Sequence, residues 1–390
     1  MLSVWIIAMI NTNNIITYVC FYGNEHTRHR RNTVQSAVTK IDYIVSVLNR
    51  IGYNVNMISK SGVDIDGFCF DTGETIKIGQ NTLKTFLSIG CKKSVLRYVS
   101  RILNTLHIIL WMLFNLRKND KIIVYHSPGY MSIMYWMKRL KNFTLIGEIE
   151  EMYQDVKQCS QSFCKAEYRF VNCCDKYIFP TQLLNESVNV DKKPYCVVHG
   201  VYSVERSRNV SFNDGKIHVV YGGTFDPNKG GAAAAAAAEY LPYNYHIHIC
   251  GFGTPTEVDS IKKLILDIKE KSKATISFDG LLIGDDYINL IQKCKIGLST
   301  QNPSAAFNAT SFPSKILIYL SNGLRVVTIN IPATSNSAVS ECLYFYNEQN
   351  PQEIAKAIMS VPLNTDYDVR SVLKNIDNQF AVDIKKLLCC

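Results

Sequence analysis

Short apolar runs of strand length alternate with amphipathic stretches of helix length through the first half of the chain. The runs end in polar or glycine-containing loops, and they are "IITYVCFY", "YNVNMIS", "KIIVYHSP", "FTLIGEIEE", "CDKYIFP" and "YCVVHG". After the first run, "VQSAVTKIDYIVSVLNRIG" has apolar residues at helical spacing and ends at Gly52, a residue type that often closes helices. This βαβ series predicts a parallel sheet with helices on both faces.

The alternation restarts after a polar, turn-rich stretch at residues 201–213. It gives the strands "KIHVVYGG", "YHIHICGFG", "ATISFDG", "KIGLST" and "RVVTINI", with helical stretches between them. We therefore predict an α/β protein with two doubly wound Rossmann-like domains facing a cleft. The predicted boundaries are 1–205 and 206–365, followed by a helix at 366–390 that can cross back to the first domain. Ligands of such sheets bind at the carboxyl ends of the strands.

Two apolar runs resemble membrane segments but are too short to span a bilayer, which takes about 20 residues. "MLSVWIIAMI" is interpreted either as an extra strand or as an extension upstream of Met9. The stretch from Ile102 to Leu116 contains polar residues, and we interpret it as a buried or membrane-surface helix. Just before it, Lys93, Arg97 and Arg101 follow a helical period, which predicts one basic face.

The net charge of +9 lies entirely in the first half of the chain. It indicates an anionic partner, either a membrane surface, a phosphate-bearing substrate or nucleic acid, or else a solvated surface. Arg28, Arg30 and Arg31 could bind an acceptor phosphate or be solvated. Nucleic acid is the least favoured partner, because no known module is present. The thirteen cysteines are an odd number without paired spacing, so we expect reduced thiols, an intracellular location and no metal site.

A glycine-rich loop with one lysine follows the strand "KIHVVYGG" and leads into a run of alanines. Gly222, Gly223 and Lys229 lie between that strand and the expected helix. Glycines allow close approach of a ligand, and a helix start offers free N–H groups, so a pyrophosphate site is one interpretation. A simple glycine turn with a surface lysine is the other. The alanines favour a helix that lies flat on the sheet.

A second polar loop opens a helix in "NATSFPSKILIYLSNG". Thr310, Ser311 and Ser314 can cap that helix or donate to a phosphate. Lys315 opposes the helix dipole unless an anion lies beside it. The loop therefore favours an anion site.

These pieces together resemble the donor domain of the retaining GT-B glycosyltransferases, of the family 4-like type that includes bacterial polysaccharide and mannosyl transferases. The similarity is carried by "YGGTF…NKGG", "YHIHICGFG", "ISFDGLL…DDYINLIQKCKIGLST" and "FPSKILIYLSNGLRVV", in the family's order. In the first half, "EYRFVNCCDKYIFPTQLLNES" and "GEIEEMY" extend it. The region covered is about 145–361.

The resemblance implies a metal-independent transferase without a cofactor, whose substrate is a nucleotide sugar bound to the second domain. It implies transfer with retention to a lipid-linked or saccharide acceptor, in biosynthesis of a surface polysaccharide such as a capsule. The location implied is cytoplasmic, including the membrane face. The donor-binding residues implied are Gly222, Gly223, Lys229, Gly251, Gly253, Gly280, Thr310, Ser311, Ser314 and Lys315.

The chain departs from the family pattern at three positions. Gly223 stands where the family often has an arginine, and Thr310 and Ile318 stand where it has two glutamates. Lys315 is a candidate replacement for the missing cation. Two alternatives therefore stay open: a sugar-nucleotide epimerase on the same fold, and a nucleotide-sugar-binding protein with weakened catalysis.

Acidic residues at the end of "FTLIGEIEE" are the catalytic candidates. Strand alternation would place Glu148 and Glu150 on one face, where either could orient an acceptor hydroxyl. His126, at the end of "IIVYH", is the third candidate. Each could instead have a purely structural role.

Overall fold

A computed structural model describes residues 14–91, 93–156 and 158–389. The predicted strand or extension at the amino terminus lies outside these residues. The chain divides into two compact units. The first comprises Met1–Phe179, Asn185–Val198 and Phe380–Cys390, and the second comprises Pro180–Leu184 and His199–Gln379.

The first unit has an eight-stranded sheet in the order β10-β9-β8-β7-β1-β2-β5-β4. Its strands are parallel except for β4, which pairs antiparallel with β5. A separate antiparallel pair joins β3 and β6. The strands are β1 (Ile15–Cys20), β2 (Asn54–Ser59), β3 (Cys69–Asp71), β4 (Thr75–Ile78), β5 (Asn81–Thr85), β6 (Ser88–Gly90), β7 (Lys121–Tyr125), β8 (Thr144–Glu148), β9 (Lys176–Phe179) and β10 (Tyr195–Val197).

Helices connect the parallel strands of this sheet. They are α1 (Gln35–Arg50), α2 (Ser94–Asn115), α3 (Met131–Lys141), α4 (Tyr153–Val156), α5 (Gln161–Cys173) and α6 (Gln182–Val188). The central strands β1, β7 and β8 are almost entirely buried, as expected for a parallel sheet covered on both faces. The order of the strands in this sheet shows that the chain reverses its direction of progress between β1 and β7. Ligands of open α/β sheets bind beyond the carboxyl ends of the strands at such a point.

The second unit has a six-stranded, fully parallel sheet in the order β13-β12-β11-β14-β15-β16. Numbered within the unit, this is the Rossmann order 3-2-1-4-5-6, with the reversal between β11 and β14. The strands are β11 (Ile217–Thr224), β12 (Tyr245–Phe252), β13 (Thr275–Gly280), β14 (Ile296–Ser299), β15 (Arg325–Ile329) and β16 (Leu343–Tyr346).

The helices of this unit are α7 (Gly231–Ala236), α8 (Pro255–Lys271), α9 (Gly284–Lys293), α10 (Lys315–Ser321), α11 (Pro332–Ser335) and α12 (Pro351–Ser360), and α13 (Val369–Cys389) continues into the first unit. The alanine run forms α7 and the start of a 3₁₀ turn, Ala237–Tyr240. Four of its alanines are fully buried among the isoleucines of β12 and α8. Small side chains let this helix lie close against the sheet, as the sequence predicted.

The predicted α/β class with two Rossmann-like sheets is confirmed. The residues 60–90 were not assigned from the sequence, and they hold β3 to β6. Strand β16 was also missed, because "LYFY" is short and shows no alternation. Among the described residues, no helix has both the length and the apolar character needed to cross a membrane.

Candidate functional site

A cavity of about 800 Å³ opens at the carboxyl ends of the first unit's central strands. Phe21 follows β1, Lys60 follows β2, Tyr125 ends β7, and Glu150 follows β8, and all four line it. The cavity therefore lies at the point where the strand order reverses, which is where ligands of such sheets bind. The start of α1 and the first half of α2 complete the wall.

Three cations line this cavity: Lys60, Arg97 and Arg101. The Lys60 ammonium donates to the carbonyl of Gly129 at 3.1 Å, and burial lowers the pKa of Lys60. In the described parts of the chain, no carboxylate forms an ion pair with either arginine. Two guanidinium groups without carboxylate partners make the cavity suited to an anionic ligand.

The basic face that the sequence predicted for α2 lies at the wall of this cavity. Arg97 and Arg101 share the cavity side of the helix with Ser100 and Asn104, both buried. The sequence pattern correctly grouped these arginines on one face, and the structure places that face at the wall of the cavity. The helix places its polar stripe inward because the cavity gives those groups a polar environment.

Glu150 is the catalytic candidate that lies in the cavity. Its carboxylate forms an ion pair with the ammonium of Lys40, a buried residue of α1. Glu151 also lines the cavity. An ion pair with a mostly buried lysine fixes the orientation of Glu150 and keeps a negative charge at the wall.

Glu148 is fully buried and is not part of the cavity wall. Strand β8 ends at this residue, so strand alternation does not place Glu150 on the same face as expected. The hydroxyl of Tyr18 donates to the Oε2 atom of Glu148, whose Oε1 atom has no hydrogen-bond partner among the described residues. Burial, followed by the nearby charge of Glu150, raises the pKa of Glu148 to about 8. The group thus carries a proton at neutral pH and acts as a neutral support beneath the site.

His126 is buried behind the strand ends rather than in the cavity. Its Nδ1 atom lies 3.0 Å from the carbonyl of Glu151, and its ring stacks on Phe170. Burial lowers the pKa of His126 to about 4, so the ring is neutral. Through this bond it positions the loop that carries the glutamates.

The three arginines of the first polar loop bind acids within the unit. Arg31 is buried and pairs with Asp71 at 2.5 Å, while Arg30 pairs with Asp64 at 2.9 Å. Arg28 lies 3.6 Å from Asp71. Arg31 therefore fastens the loop to β3, whereas the side chains of Arg28 and Arg30 are 56% and 74% exposed, so the solvated alternative describes those two and not Arg31.

The glycine loop of the second unit lies where its own strand order reverses. Gly230 has a positive φ of 84°, and a Cβ atom there would lie 1.7 Å from the carbonyl oxygen of Thr300 after β14. The hydroxyl of Tyr221 donates to the carbonyls of Thr224 and Lys229 at 2.9 and 3.0 Å. The amide of Gly222 donates to the hydroxyl of Tyr319 at 2.8 Å. Glycine at 230 is thus required by close packing of the protein itself.

Lys229 and Lys315 come together at this loop from distant parts of the sequence. The Lys315 ammonium lies 3.5 Å from the carbonyl of Lys229 and 3.9 Å from the ring centre of Tyr221. A Cβ atom at Gly223 would lie 3.2 Å from that ammonium, so glycine leaves it room. Burial, followed by repulsion from Lys229, lowers the pKa of Lys315 to about 7. An anion that binds here would relieve both effects.

Lys315 has no carboxylate partner in the part of the chain that the structure describes. The ammonium of Lys229 lies over the ring of Phe307 at 3.7 Å. Within the described ranges, the buried hydroxyl of Ser311 has no hydrogen-bond partner. The carbonyl of Thr310 accepts from the hydroxyl of Thr181 at 2.5 Å. Ser314 is exposed and makes no side-chain capping bond to α10.

The remaining predicted glycines have mixed surroundings. A Cβ atom at Gly251 would lie 1.7 Å from the carbonyl oxygen of Gly223, and one at Gly253 would lie 2.8 Å from Glu257. Close packing against the backbone therefore accounts for Gly251, whereas the neighbour of Gly253 is a flexible side chain. Gly280 ends β13 and has open space around it. The described residues contain no group of three or more His, Cys, Asp or Glu side chains that could hold a metal ion.

Several features of both sites were missed in the sequence. Lys40 and Lys60 lie on separate elements and gave no local signal. The polar stripe of Ser100 and Asn104 beside the arginines of α2 was available, since the four residues share one helical face. Tyr319 was hidden because a buried tyrosine looks like core until its hydroxyl partner is known.

No protein-family model matches this sequence. No curated protein matches it either. Likeness to known proteins is found among solved structures.

Three of these structures cover almost the whole chain. Trehalose-6-phosphate from E. coli bound with UDP-2-fluoro glucose shares 10% identity and a TM-score of 0.60, over 95% of this chain and 99% of that chain. The α,α-trehalose-phosphate synthase (UDP-forming) of Burkholderia xenovorans in complex with glucose-6-phosphate shares 9% identity and a TM-score of 0.61, over 96% of this chain and 100% of that chain. A glycosyltransferase from Rickettsia africae shares 14% and 0.54, over 96% of both chains.

At these identities the likeness establishes the fold. Each unit has the Rossmann-like architecture of the GT-B fold, as the sequence predicted. The first two structures carry the names of trehalose-phosphate enzymes, not of the polysaccharide type that the sequence resembles.

Proposed function

We propose that the protein is a metal-independent glycosyltransferase that takes a sugar from a nucleotide-sugar donor. The observation that carries the proposal is that the Lys315 ammonium lies against the backbone of Lys229, near enough for the Lys229 charge to lower its pKa, at the glycine loop where the second unit's strand order reverses. Two ammonium groups at a ligand-binding point of a Rossmann sheet suit a diphosphate. The bound UDP-sugar of the E. coli neighbour supports a uridine diphosphate sugar as the donor.

The proposed reaction breaks the bond between the anomeric carbon and the diphosphate oxygen. The acceptor hydroxyl forms the new bond to that carbon, and its proton leaves with the diphosphate or passes to a carboxylate. Lys229 and Lys315 stabilise the charge that develops on the leaving diphosphate. Glu150 orients the acceptor hydroxyl, while Glu148 and His126 position the loop behind it. Retention of configuration is part of the proposal and rests on the family resemblance.

The acceptor is proposed to be anionic and to occupy the cavity of the first unit. Lys60, Arg97 and Arg101 would bind its phosphate groups. Glucose-6-phosphate in the Burkholderia neighbour supports a phosphorylated acceptor. The resemblance to polysaccharide transferases favours a lipid-diphosphate-linked saccharide at the cytoplasmic membrane face.

The first experiment is calorimetric titration with a panel of nucleoside diphosphates and nucleotide sugars. We expect one nucleotide to bind the wild type, and Lys229→Ala and Lys315→Ala each to weaken binding about tenfold or more. Lys269→Ala, on the exposed end of α8, is the matched control and should bind like the wild type. No binding of any nucleotide would refute the donor site.

Product analysis then separates the remaining alternatives. Transfer of labelled sugar to an added phosphorylated acceptor would support the proposal. Conversion of the donor to another nucleotide sugar without an acceptor would indicate an epimerase. Nucleotide binding without any turnover would indicate a binding protein.

A further inference from the structure

An extended apolar face of α2 lies open on the surface of the first unit. Val95, Tyr98, Val99, Ile102, Leu103, Leu106, Leu110 and Phe114 are all exposed, and Phe114 is 83% exposed. Their spacing follows a helical period, so they share one side of the helix over about five turns. Isolated apolar residues are normal on a surface, whereas a continuous stripe of this length indicates a binding surface.

The buried side of the same helix is accounted for. Asn104, Ile108 and Met112 face the body of the unit, and the arginines line the cavity. The helix thus buries a narrow stripe that includes Ile108 and Met112 and leaves its wider apolar side exposed, whereas a surface helix ordinarily packs its apolar face against the core. The outward apolar face is therefore not explained by folding of this unit.

Helix α3 extends the surface with an aromatic residue and a basic rim. Trp136 and Leu140 are exposed on its outer face, with Arg139 between them. The arginines of α2 lie on its cavity side and Lys138 of α3 pairs with Asp175, so the remaining cations of α3 are Arg139 and Lys141. Neither helix contains an aspartate or glutamate. Arg117 and Lys118 follow the end of α2. The surface therefore combines exposed apolar residues, tryptophan and positive charge.

We propose that the exposed faces of α2 and α3 form a docking surface for an anionic lipid bilayer. Leucine, phenylalanine and tryptophan would enter the boundary between head groups and acyl chains, and the cations would bind lipid phosphates. A surface with cations and no acids matches a negatively charged membrane better than a protein partner of mixed charge. This inference concerns attachment and does not depend on the proposed transfer reaction.

Vesicle flotation with the full-length protein tests the inference. The vesicles are phosphatidylcholine alone or phosphatidylcholine with phosphatidylglycerol, at low and high salt. We expect binding to the anionic vesicles and weaker binding at high salt, because the charges are screened. Failure of the wild type to bind either vesicle would overturn the proposal.

The double variant Leu106→Glu/Leu110→Glu distinguishes vesicle binding by this surface from nonspecific vesicle binding. Both residues are about half exposed, at 52% and 53%, so the fold should tolerate the change, which circular dichroism checks. We expect vesicle binding to fall about tenfold or more, since two apolar insertions are lost. Leu266→Glu, at a 62% exposed position on α8, is the matched control and should bind like the wild type. Equal binding by the double variant would overturn the proposal.

A second copy of this chain is the competing occupant of this surface. Sedimentation equilibrium without vesicles measures it for the wild type and the double variant. A monomeric wild type supports the lipid as the occupant. A dimer that Leu106→Glu/Leu110→Glu dissociates would overturn the proposal, because a second copy then covers the apolar face.

Discussion

Individual ionisable residues at the two sites have shifted pKa values because of their surroundings. Lys315 is held beside Lys229 without an acid partner in the described residues, and Glu148 is buried against Tyr18. The first arrangement lowers a lysine pKa to about 7, and the second raises a glutamate pKa to about 8. Such shifts in opposite directions are typical of functional sites, where the fold sets the charge before a ligand arrives.

Nucleotide binding should weaken as pH rises above 7, and Lys315 should be the cause. The free protein loses the Lys315 proton near pH 7, while a bound diphosphate favours the protonated form. The dissociation constant of uridine diphosphate should therefore rise by up to about tenfold per pH unit between pH 7 and 9. Calorimetry at pH 7, 8 and 9 measures it. Lys315→Met should bind weakly and show little change over this range; an unchanged slope in the variant would assign the effect to another group.

Gly230→Ala should cost more stability than a glycine-to-alanine change at another position with a similar positive φ. Gly52 has a φ of 93° and open space around it, so Gly52→Ala costs only the backbone strain, about 1 kcal/mol. Gly230→Ala adds a clash with the carbonyl of Thr300, which costs about 1–3 kcal/mol more. Urea unfolding of both variants makes the comparison. Equal losses would show that the loop can move away from Thr300.

At the scale of elements, helical and strand periods identified most of the helices and strands, but not which side of each element is exposed to solvent. The strands of both sheets were found because buried parallel strands are continuous apolar runs. Helix α2 was found as well, yet which side faces inward could not be read from its period. An apolar face normally packs inward, and here the cavity takes the polar stripe instead. Only the packing of neighbouring elements decides that choice.

A chain of polar side chains crosses three neighbouring strands of the second sheet. The Nε2 atom of His218 on β11 lies 2.9 Å from Asp214, and its Nδ1 atom lies 2.9 Å from His248 on β12. His248 lies 3.1 Å from Asp279 on β13, and the ring of Phe212 stacks on His218. These bonds join the strands through side chains in addition to their backbone pairing.

Stability of the second unit should fall as pH decreases from about 6.5 to about 4. Burial, followed by the charge of His248, lowers the pKa of His246 to about 4, and burial also lowers that of His218. The unfolded chain therefore binds protons in this window before the folded chain does, and protons favour unfolding. Urea unfolding at pH 7, 6, 5 and 4.5 measures the fall. His246→Gln should reduce the pH dependence, and a variant with the wild-type slope would contradict the assignment.

At the scale of the whole molecule, each unit supplies one candidate site at the reversal point of its own sheet. The sequence predicted this arrangement from the repeated βαβ pattern and found Lys229 and Lys315, because both lie in local motifs. It did not find the composition of the first cavity. Lys60, Arg101 and Glu150 come from three elements, and only the tertiary structure brings them together.

Substitutions in the two units should affect different substrates. Arg101→Ala should raise the KM for a phosphorylated acceptor about tenfold and leave nucleotide affinity unchanged, since a charged hydrogen bond is lost. Lys315→Ala should weaken the donor alone. Because the residues lie in different units, their losses should multiply in the double variant. Steady-state kinetics with each substrate varied tests this, with Arg117→Ala as the exposed control. A change in nucleotide affinity caused by Arg101→Ala would contradict the division.

The number of alanines in the run of seven after the glycine loop matters as well as their small size. Ala234, Ala235, Ala237 and Ala238 are fully buried, while Ala232 is exposed, so each member of the run has its own neighbours. One added or lost alanine would leave the run looking the same in the sequence. It would nevertheless turn every later side chain by about 100° around the helix axis. A change in the number of alanines should therefore disturb packing more than a substitution at the exposed Ala232.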